Sequence, residues 1–300
     1  MPTQLMQTAT TAPPDDPQLY RTLYAGCPIC GKTSVTALRT ADCRSYPNWH
    51  PPLPETLVWL ECNACSHVFT DSFYTRAGLD ELFRLTHPSQ VAGNDLDRQR
   101  MIWAPVVASV LNVLSGNDLP VRASSFDNAP LTWVDVGCGS GGLVFTASEF
   151  GFAATGIDLR EQPVLRIRSL GYEARQTDLL SVHSDTPIDV LSMADLLEHT
   201  AYPVALLKKA HQLLRPQGVL YISCPNRDSA SWRQMDLNNA NPYWAEIEHH
   251  HNFSRKSLMW LLSQCGFMPV NYGVSNRYIA CMEIFAVRVP LPPSAASSGI

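Results

Sequence analysis

Gly137, Gly139, Gly141 and Gly142 follow directly on an apolar run, 131–136, that carries one acid, Asp135. Leu131, Trp133, Val134 and Val136 are β-formers without helical spacing, so the run reads as a strand entering a glycine turn. Glycine permits a sharp turn and leaves bare backbone that a bound nucleoside cofactor can approach closely. Gly137, Gly139 and Gly142 also satisfy the GxGxxG spacing of a dinucleotide site, which admits a nicotinamide oxidoreductase. Two further acids bear on the choice. Asp158 closes the next strand-like run and is placed to accept hydrogen bonds from ribose hydroxyls under either cofactor. Asp178 follows the third run, where it could receive an exocyclic amine. Asp135 suits a cationic cofactor better than a pyrophosphate, because a carboxylate beside phosphate is repulsive. Acids after three successive strands fit an adenosyl amino acid.

A second chemistry lies upstream. Cys27 and Cys30 form one CxxC pair and Cys62 and Cys65 another, 31 residues apart. Each pair can bring two thiolates to one ion, and four thiolates make a closed tetrahedral zinc site with a structural role. The residues between them include Pro47, Pro51, Pro52 and Pro54 and cannot build an apolar core alone. His67 is a rival ligand in CxxCxH, and Cys43 is expected to be a bystander.

The elements that must position these groups follow from patterning. Residues 1–20 and 290–300 read as disordered tails, 21–72 as the zinc ribbon, 73–130 as a helical connector and linker, and 131–289 as the main domain. In the connector a helix over 96–114 is expected to kink or restart at Pro105. From 131 onward strand-like runs (131–136, 153–158, 173–176, 188–193, 218–223) alternate with helical ones (142–150, 162–170, 203–214, 255–265). Two strand-like runs, 268–272 and 278–289, end the domain. This alternation predicts an α/β fold, a Rossmann-like, largely parallel sheet with helices on both faces and ligands at its carboxyl edge.

Composition narrows the function classes. The 300 residues are 45% hydrophobic and 16% charged, and 22 basic against 27 acidic residues give a net charge of −5. That balance gives nucleic acid no general electrostatic footing. The N-terminus has no secretory pattern and the longest apolar run, 103–114, is too short to span a bilayer, so a cytoplasmic, non-membrane protein is expected. Nine cysteines in such a chain point to metal rather than disulfides.

VDVGCGSGG, GIDL, Asp178, LSMADLLEH and LLRPQGVLYISCPN resemble, in this order, the successive motifs of class I S-adenosylmethionine-dependent methyltransferases. The run HHHNFSRKSLMWLLSQCGF resembles the segment before the final hairpin in their ubiquinone-biosynthesis type. CNACSHVF looks like the second knuckle of the four-cysteine ribbon found in sugar C-methyltransferases. The resemblance implies a seven-stranded sheet in the order 3-2-1-4-5-7-6. It places Gly137, Gly139 and Gly141 against the methionine portion of the cofactor, with Asp135 behind them. Asp158 and Leu159 fall at the ribose, Asp178 and Leu179 around the adenine, and the segment from Asp195 to His199 faces the methyl group.

Methyl transfer is an in-line displacement, so alignment supplies much of the rate, and a hydroxyl or acidic carbon also needs a base. His199, His250 and His251 are the expected catalytic candidates, with His249 a fourth and Glu198 and Asp195 behind them. The bland reading makes 249–251 a polar lead into the last helix, capped by Asn252 or Ser254. Residues 226–253 form a connection long enough to be a lid and carry Trp232, Tyr243 and Trp244. The expected activity is O- or C-methylation of a small molecule or sugar-containing metabolite, with S-adenosylmethionine as cofactor and structural zinc in the ribbon. An oxidoreductase, an RNA methyltransferase and an inactive scaffold are the alternatives.

Overall fold

The computed structural model describes residues 20–84, 95–116 and 129–292. Of the expected tails, 1–19 and 293–300 lie outside the described residues, as do 85–94 and 117–128 of the connector.

The N-terminal part contains β1 (Arg21–Leu23), β2 (Val35–Asp42), β3 (Thr56–Cys62), β4 (Val68–Thr70), β5 (Ser72–Tyr74), α1 (Arg76–Leu82) and α2 (Leu96–Gly116). The remainder runs β6 (Thr132–Val136), α3 (Gly142–Glu149), β7 (Ala153–Asp158), α4 (Glu161–Ser169), β8 (Glu173–Gln176), β9 (Ile188–Ala194), α5 (Pro203–Leu213) and β10 (Leu214–Pro225). It then continues through α6 (Ala230–Leu237), β11 (His251–Asn252), α7 (Arg255–Gln264), β12 (Phe267–Val274) and β13 (Cys281–Arg288).

Seven strands form one sheet in the order β12-β13-β10-β9-β6-β7-β8, the order expected from the resemblance read from its other edge. β13 runs antiparallel to both neighbours, β10 and β12. β9 is buried almost without interruption and β10 from Gly218 to Pro225, as strands covered on both faces must be. The carboxyl ends of β6, β7, β8 and β9 therefore line up along one edge.

α2 differs from expectation: it is one continuous helix through Pro105. Proline removes one backbone donor, but Trp103, Val106, Val107, Val110 and Leu114 bury a stripe at helical spacing on both sides of it. Ser109 Oγ donates to the Pro105 carbonyl at 2.9 Å.

The four-cysteine segment is not closed on itself. Its sheet, ordered β11-β4-β3-β2, takes its last strand from outside 21–72, with His251 opposite Phe69 and Asn252 opposite Val68. Its apolar residues are shared as well. Cys27, Ile29, Cys62 and Phe69 pack in one core with the α5 and α7 side of the large sheet. Leu57, Trp59 and Val68 pack in another with Trp232, Tyr243, Trp244 and Ile247. The 226–253 connection is thus no open loop; it holds α6 and a 3-10 turn, Pro242–Trp244, wedged against the ribbon.

Candidate functional site

Gly137, Gly139 and Gly141 adopt φ of +70°, +47° and +80°, backbone that other residues enter only at a cost. The Gly137 and Cys138 N–H groups both donate to the Ile157 carbonyl, at 2.8 and 3.0 Å, tying the turn to the end of β7. The glycines have different reasons for being glycine. A Cβ on Gly139 would meet nothing nearer than 3.8 Å, where Arg160 Nη2 and the Gly137 carbonyl lie. One on Gly137 would strike Leu196 Cδ1 at 2.9 Å, and one on Gly141 would strike Phe145 and Ile167 at 2.6 and 2.9 Å. Gly139 leaves room above the backbone, whereas Gly141 lets α3 pack closely.

Asp158 stands across this turn, nearly buried. It accepts from Gly139 N–H at 3.0 Å, from Arg160 N–H at 2.9 Å, and from the Arg160 guanidinium at 3.0 and 2.9 Å. Burial alone would raise its pKa, but Arg160 and the two backbone donors outweigh it and hold the carboxyl below its usual range. Asp135 lies beneath the turn, where it accepts from Ser192 Oγ at 2.6 Å, and Ser192 in turn accepts from Trp133 Nε1 at 2.8 Å. Burial pushes Asp135 up to about 7 despite that hydrogen bond. A cation above the turn would keep it ionised. Asp178 caps the short 3-10 helix Leu179–Ser181 by accepting from Ser181 N–H at 3.1 Å; its side chain is exposed and Leu179 is buried. The Leu159 side chain is 41% exposed.

At the tip of β9, Asp195 has φ +51° and its N–H donates to the Ser223 carbonyl at 2.9 Å. Arg277, from the β12–β13 hairpin, donates to Asp195 Oδ2 at 2.5 Å and to Ser223 Oγ, with its guanidinium 4.2 Å over the Trp103 ring. Neither Arg160 nor Arg277 was among the residues expected from sequence. Nothing about a lone arginine after a strand or in a hairpin marks where its head will fold.

The histidines separate into two groups. His199 Nδ1 donates to the Glu248 carbonyl at 3.1 Å, leaving Nε2 as an acceptor. Its ring meets that of His249 at 4.6 Å, and Glu198, His199 and His249 place one donor atom each within 4.8 Å of the others. His249 Nε2 pairs with Glu246 at 2.8 Å. Burial would lower His249, but the Glu246 carboxylate prevails and raises it to about 9; burial and the His249 charge both lower His199. Burial, reinforced by Asp195, raises Glu198 to about 8. Among the described residues, Glu198 Oε2 and His249 Nδ1 are buried without a hydrogen-bond partner.

His250 and His251 stand apart from this cluster. The His250 N–H donates to the Glu198 carbonyl at 2.7 Å and its carbonyl accepts from Thr70 N–H at 2.9 Å, so its backbone bridges the β9 loop to the ribbon. His251 is engaged at both nitrogens, by Thr200 O at 2.8 Å and His67 Nε2 at 3.1 Å. Burial lowers both rings, His251 to about 3. The cap of α7 is Ser254, in a capping box with Ser257.

Cys27, Cys30, Cys62 and Cys65 converge, with all four Sγ atoms within 4.8 Å of one another. The Cys27–Cys65 and Cys30–Cys62 sulfurs are 3.7 and 3.5 Å apart. Zinc–sulfur bonds of about 2.3 Å in a tetrahedron put sulfurs roughly 3.8 Å apart, so the four could hold that ion with no open position. His67 is turned to His251 and is not the rival ligand it was expected to be; Cys43 packs elsewhere.

Residues 113–272 match the family described as a methyltransferase domain. A ubiquinone biosynthesis O-methyltransferase of Idiomarina loihiensis is 34% identical over 107 residues, 33% of this chain and 44% of that protein. One from Pseudomonas paraeruginosa is 30% identical over 125 residues, 38% and 54% of the two chains. The chain thus spans about half the length of the curated relatives it matches. Among solved structures, a 1,6-didemethyltoxoflavin-N1-methyltransferase of Burkholderia thailandensis, with 1,6-didemethyltoxoflavin and S-adenosylhomocysteine bound, aligns at TM-score 0.49 and 19% identity. It covers 66% of this chain and 83% of that one.

Proposed function

This chain belongs to the methyltransferase-domain family, and from that premise we propose that it methylates a small-molecule or sugar-containing acceptor at oxygen or carbon, using S-adenosylmethionine. The observation that carries the reading is the open glycine turn facing Asp158, with the acid Asp135 buried beneath it. Bare backbone, a carboxylate that can accept from ribose hydroxyls and a buried acid that a cation would keep ionised suit an adenosyl sulfonium better than a pyrophosphate.

S-adenosylmethionine supplies a methyl group on a positively charged sulfur. The chain's task is to position that group and to take a proton from the acceptor. Gly139 leaves room for a ligand once Arg160 turns aside, Asp158 exchanges its Arg160 partner for ribose hydroxyls, and Leu196 against Gly137 sets one wall. His199 is the base: it is neutral, its Nδ1–H is anchored on Glu248, and its Nε2 lone pair is free to accept. His249, charged and paired with Glu246, is the positioning residue behind it. His250 and His251 are assigned to the scaffold instead. The four cysteines hold structural zinc, and the other five form no disulfide, which suits a reducing, cytoplasmic setting.

Calorimetry with S-adenosylhomocysteine and with NAD, beside a zinc assay, tests this. Binding of S-adenosylhomocysteine and one zinc per chain is expected. Binding of NAD alone would overturn the methyltransferase reading, and a metal-free folded protein would overturn the ribbon.

A further inference from the structure

A cavity of about 380 Å³ opens between the ribbon and α6, lined by Leu38, Arg39, Arg227, Trp232, Arg233, Asp236 and Trp244. Its three guanidinium groups come from three places in the chain: β2, the turn after β10, and α6. Trp232 and Trp244 pack edge to face at 5.3 Å and are nearly buried. Trp244 is fixed from both sides, since its Nε1 donates to Asp236 at 2.7 Å and its carbonyl accepts from Trp59 Nε1 at 2.8 Å.

The charges are not self-cancelling. Asp236 is committed to Trp244 and to Asn241 Nδ2 at 3.0 Å, and lies 3.5 Å from Arg39. The Arg39 guanidinium stands 5.2 Å over the Trp244 ring. Arg227 donates to Ser66 O at 2.7 Å and approaches Glu61 at 3.4 Å. Arg233 is exposed and makes no ion pair among the described residues. Three cations against two carboxylates leave one positive charge over a rigid aromatic wall.

We propose that this cavity binds the phosphoryl group of a phosphate or diphosphate ester. A carboxylate is satisfied by one guanidinium fork; a tetrahedral phosphoryl group offers three oxygens and can take forks arriving from separate elements. Nucleic acid fits less well, because the chain is net acidic and the arginines surround one cavity instead of tracking along a groove. A run of stacked rings joins the cavity wall to the proposed catalytic histidines, from Trp232 to Tyr243 at 5.2 Å and from Tyr243 to His249 at 6.1 Å. The cavity lining includes none of the proposed catalytic histidines, so this site stands independently of the methyltransferase reading.

Titrating the full zinc-loaded chain with phenyl phosphate, by calorimetry and tryptophan fluorescence, tests the site. Saturable binding with a dissociation constant below about 1 mM is expected. Arg233→Gln, a change at an exposed side chain, is expected to weaken it about tenfold, and Arg39→Gln by a similar factor. Both variants should bind S-adenosylhomocysteine as the parent does. Absence of saturation, an unchanged constant in Arg233→Gln, equal affinity for benzoate, or tighter binding of oligo(dT) than of phenyl phosphate would each overturn the proposal. Loss of S-adenosylhomocysteine binding in the parent chain, with phenyl phosphate still bound, would remove the methyltransferase reading and leave this site standing.

Discussion

The two ends of the cleft are built differently. At the glycine turn the decisive contacts join near neighbours: Gly139 to Asp158 across 19 positions, and Arg160 to Asp158 across two. At the histidine end they cross the chain, with Tyr24 OH donating to Ala201 O over 177 positions and His67 meeting His251 over 184. The first end is set once one strand-turn-helix-strand unit forms. The second exists only when the ribbon, the β9 loop and the 249–252 segment have all come together. Cofactor binding and methyl transfer should therefore respond differently to damage.

Removing the proposed zinc tests that difference most severely. Structural zinc contributes roughly 10–16 kcal/mol in small domains. Cys62→Ser, or chelation, is expected to abolish methyl transfer while S-adenosylhomocysteine affinity, read by calorimetry, stays within about threefold. Equal loss of both would mean that the two ends form one unit. Next, His199→Ala should lower kcat by roughly 10²–10⁴-fold, the usual contribution of a general base, with cofactor affinity unchanged. The pH profile sharpens this. A base held below its ordinary pKa is neutral through the neutral range, so kcat/KM should be flat above about pH 6.5 and fall as acid protonates it. If His249 were the base, the rate would instead rise with pH toward about 9, where its pair with Glu246 finally gives up a proton.

Effects at the cofactor end should be smaller and confined to binding. Asp158→Ala is expected to weaken S-adenosylhomocysteine at least tenfold, about 1.4 kcal/mol. An unchanged constant would refute the ribose assignment. Asp178→Asn, which can still cap the short helix, should cost about threefold in affinity if the carboxylate meets the adenine amine. No change would leave Asp178 a cap alone.

What could be read from the sequence follows the same division. Strand alternation, the sheet order implied by the resemblance, the two CxxC pairs and the glycine turn all rest on local patterns. The triple histidine was visible, but not its partition: adjacent residues point different ways, and a two-residue strand sends His251 to the ribbon and His249 to Glu246. Arg277 illustrates the limit. It reaches Asp195 across 82 positions through a hairpin, and no spacing rule connects them. Pro105 failed as a helix breaker because the buried stripe around it outweighs one missing hydrogen bond.

The pairing of β11 with β4 also has a consequence for biogenesis. During synthesis the N-terminal knuckles leave the ribosome early, but the free edge of β4 must wait until residue 252 has emerged. For that interval the nascent chain carries an unsealed strand edge beside Phe69 and Trp59, both of which are fully covered in the finished fold. Slow translation or truncation upstream of 251 would prolong that exposure. Soluble yield should therefore depend on chaperone supply more steeply than the stability of the completed protein suggests.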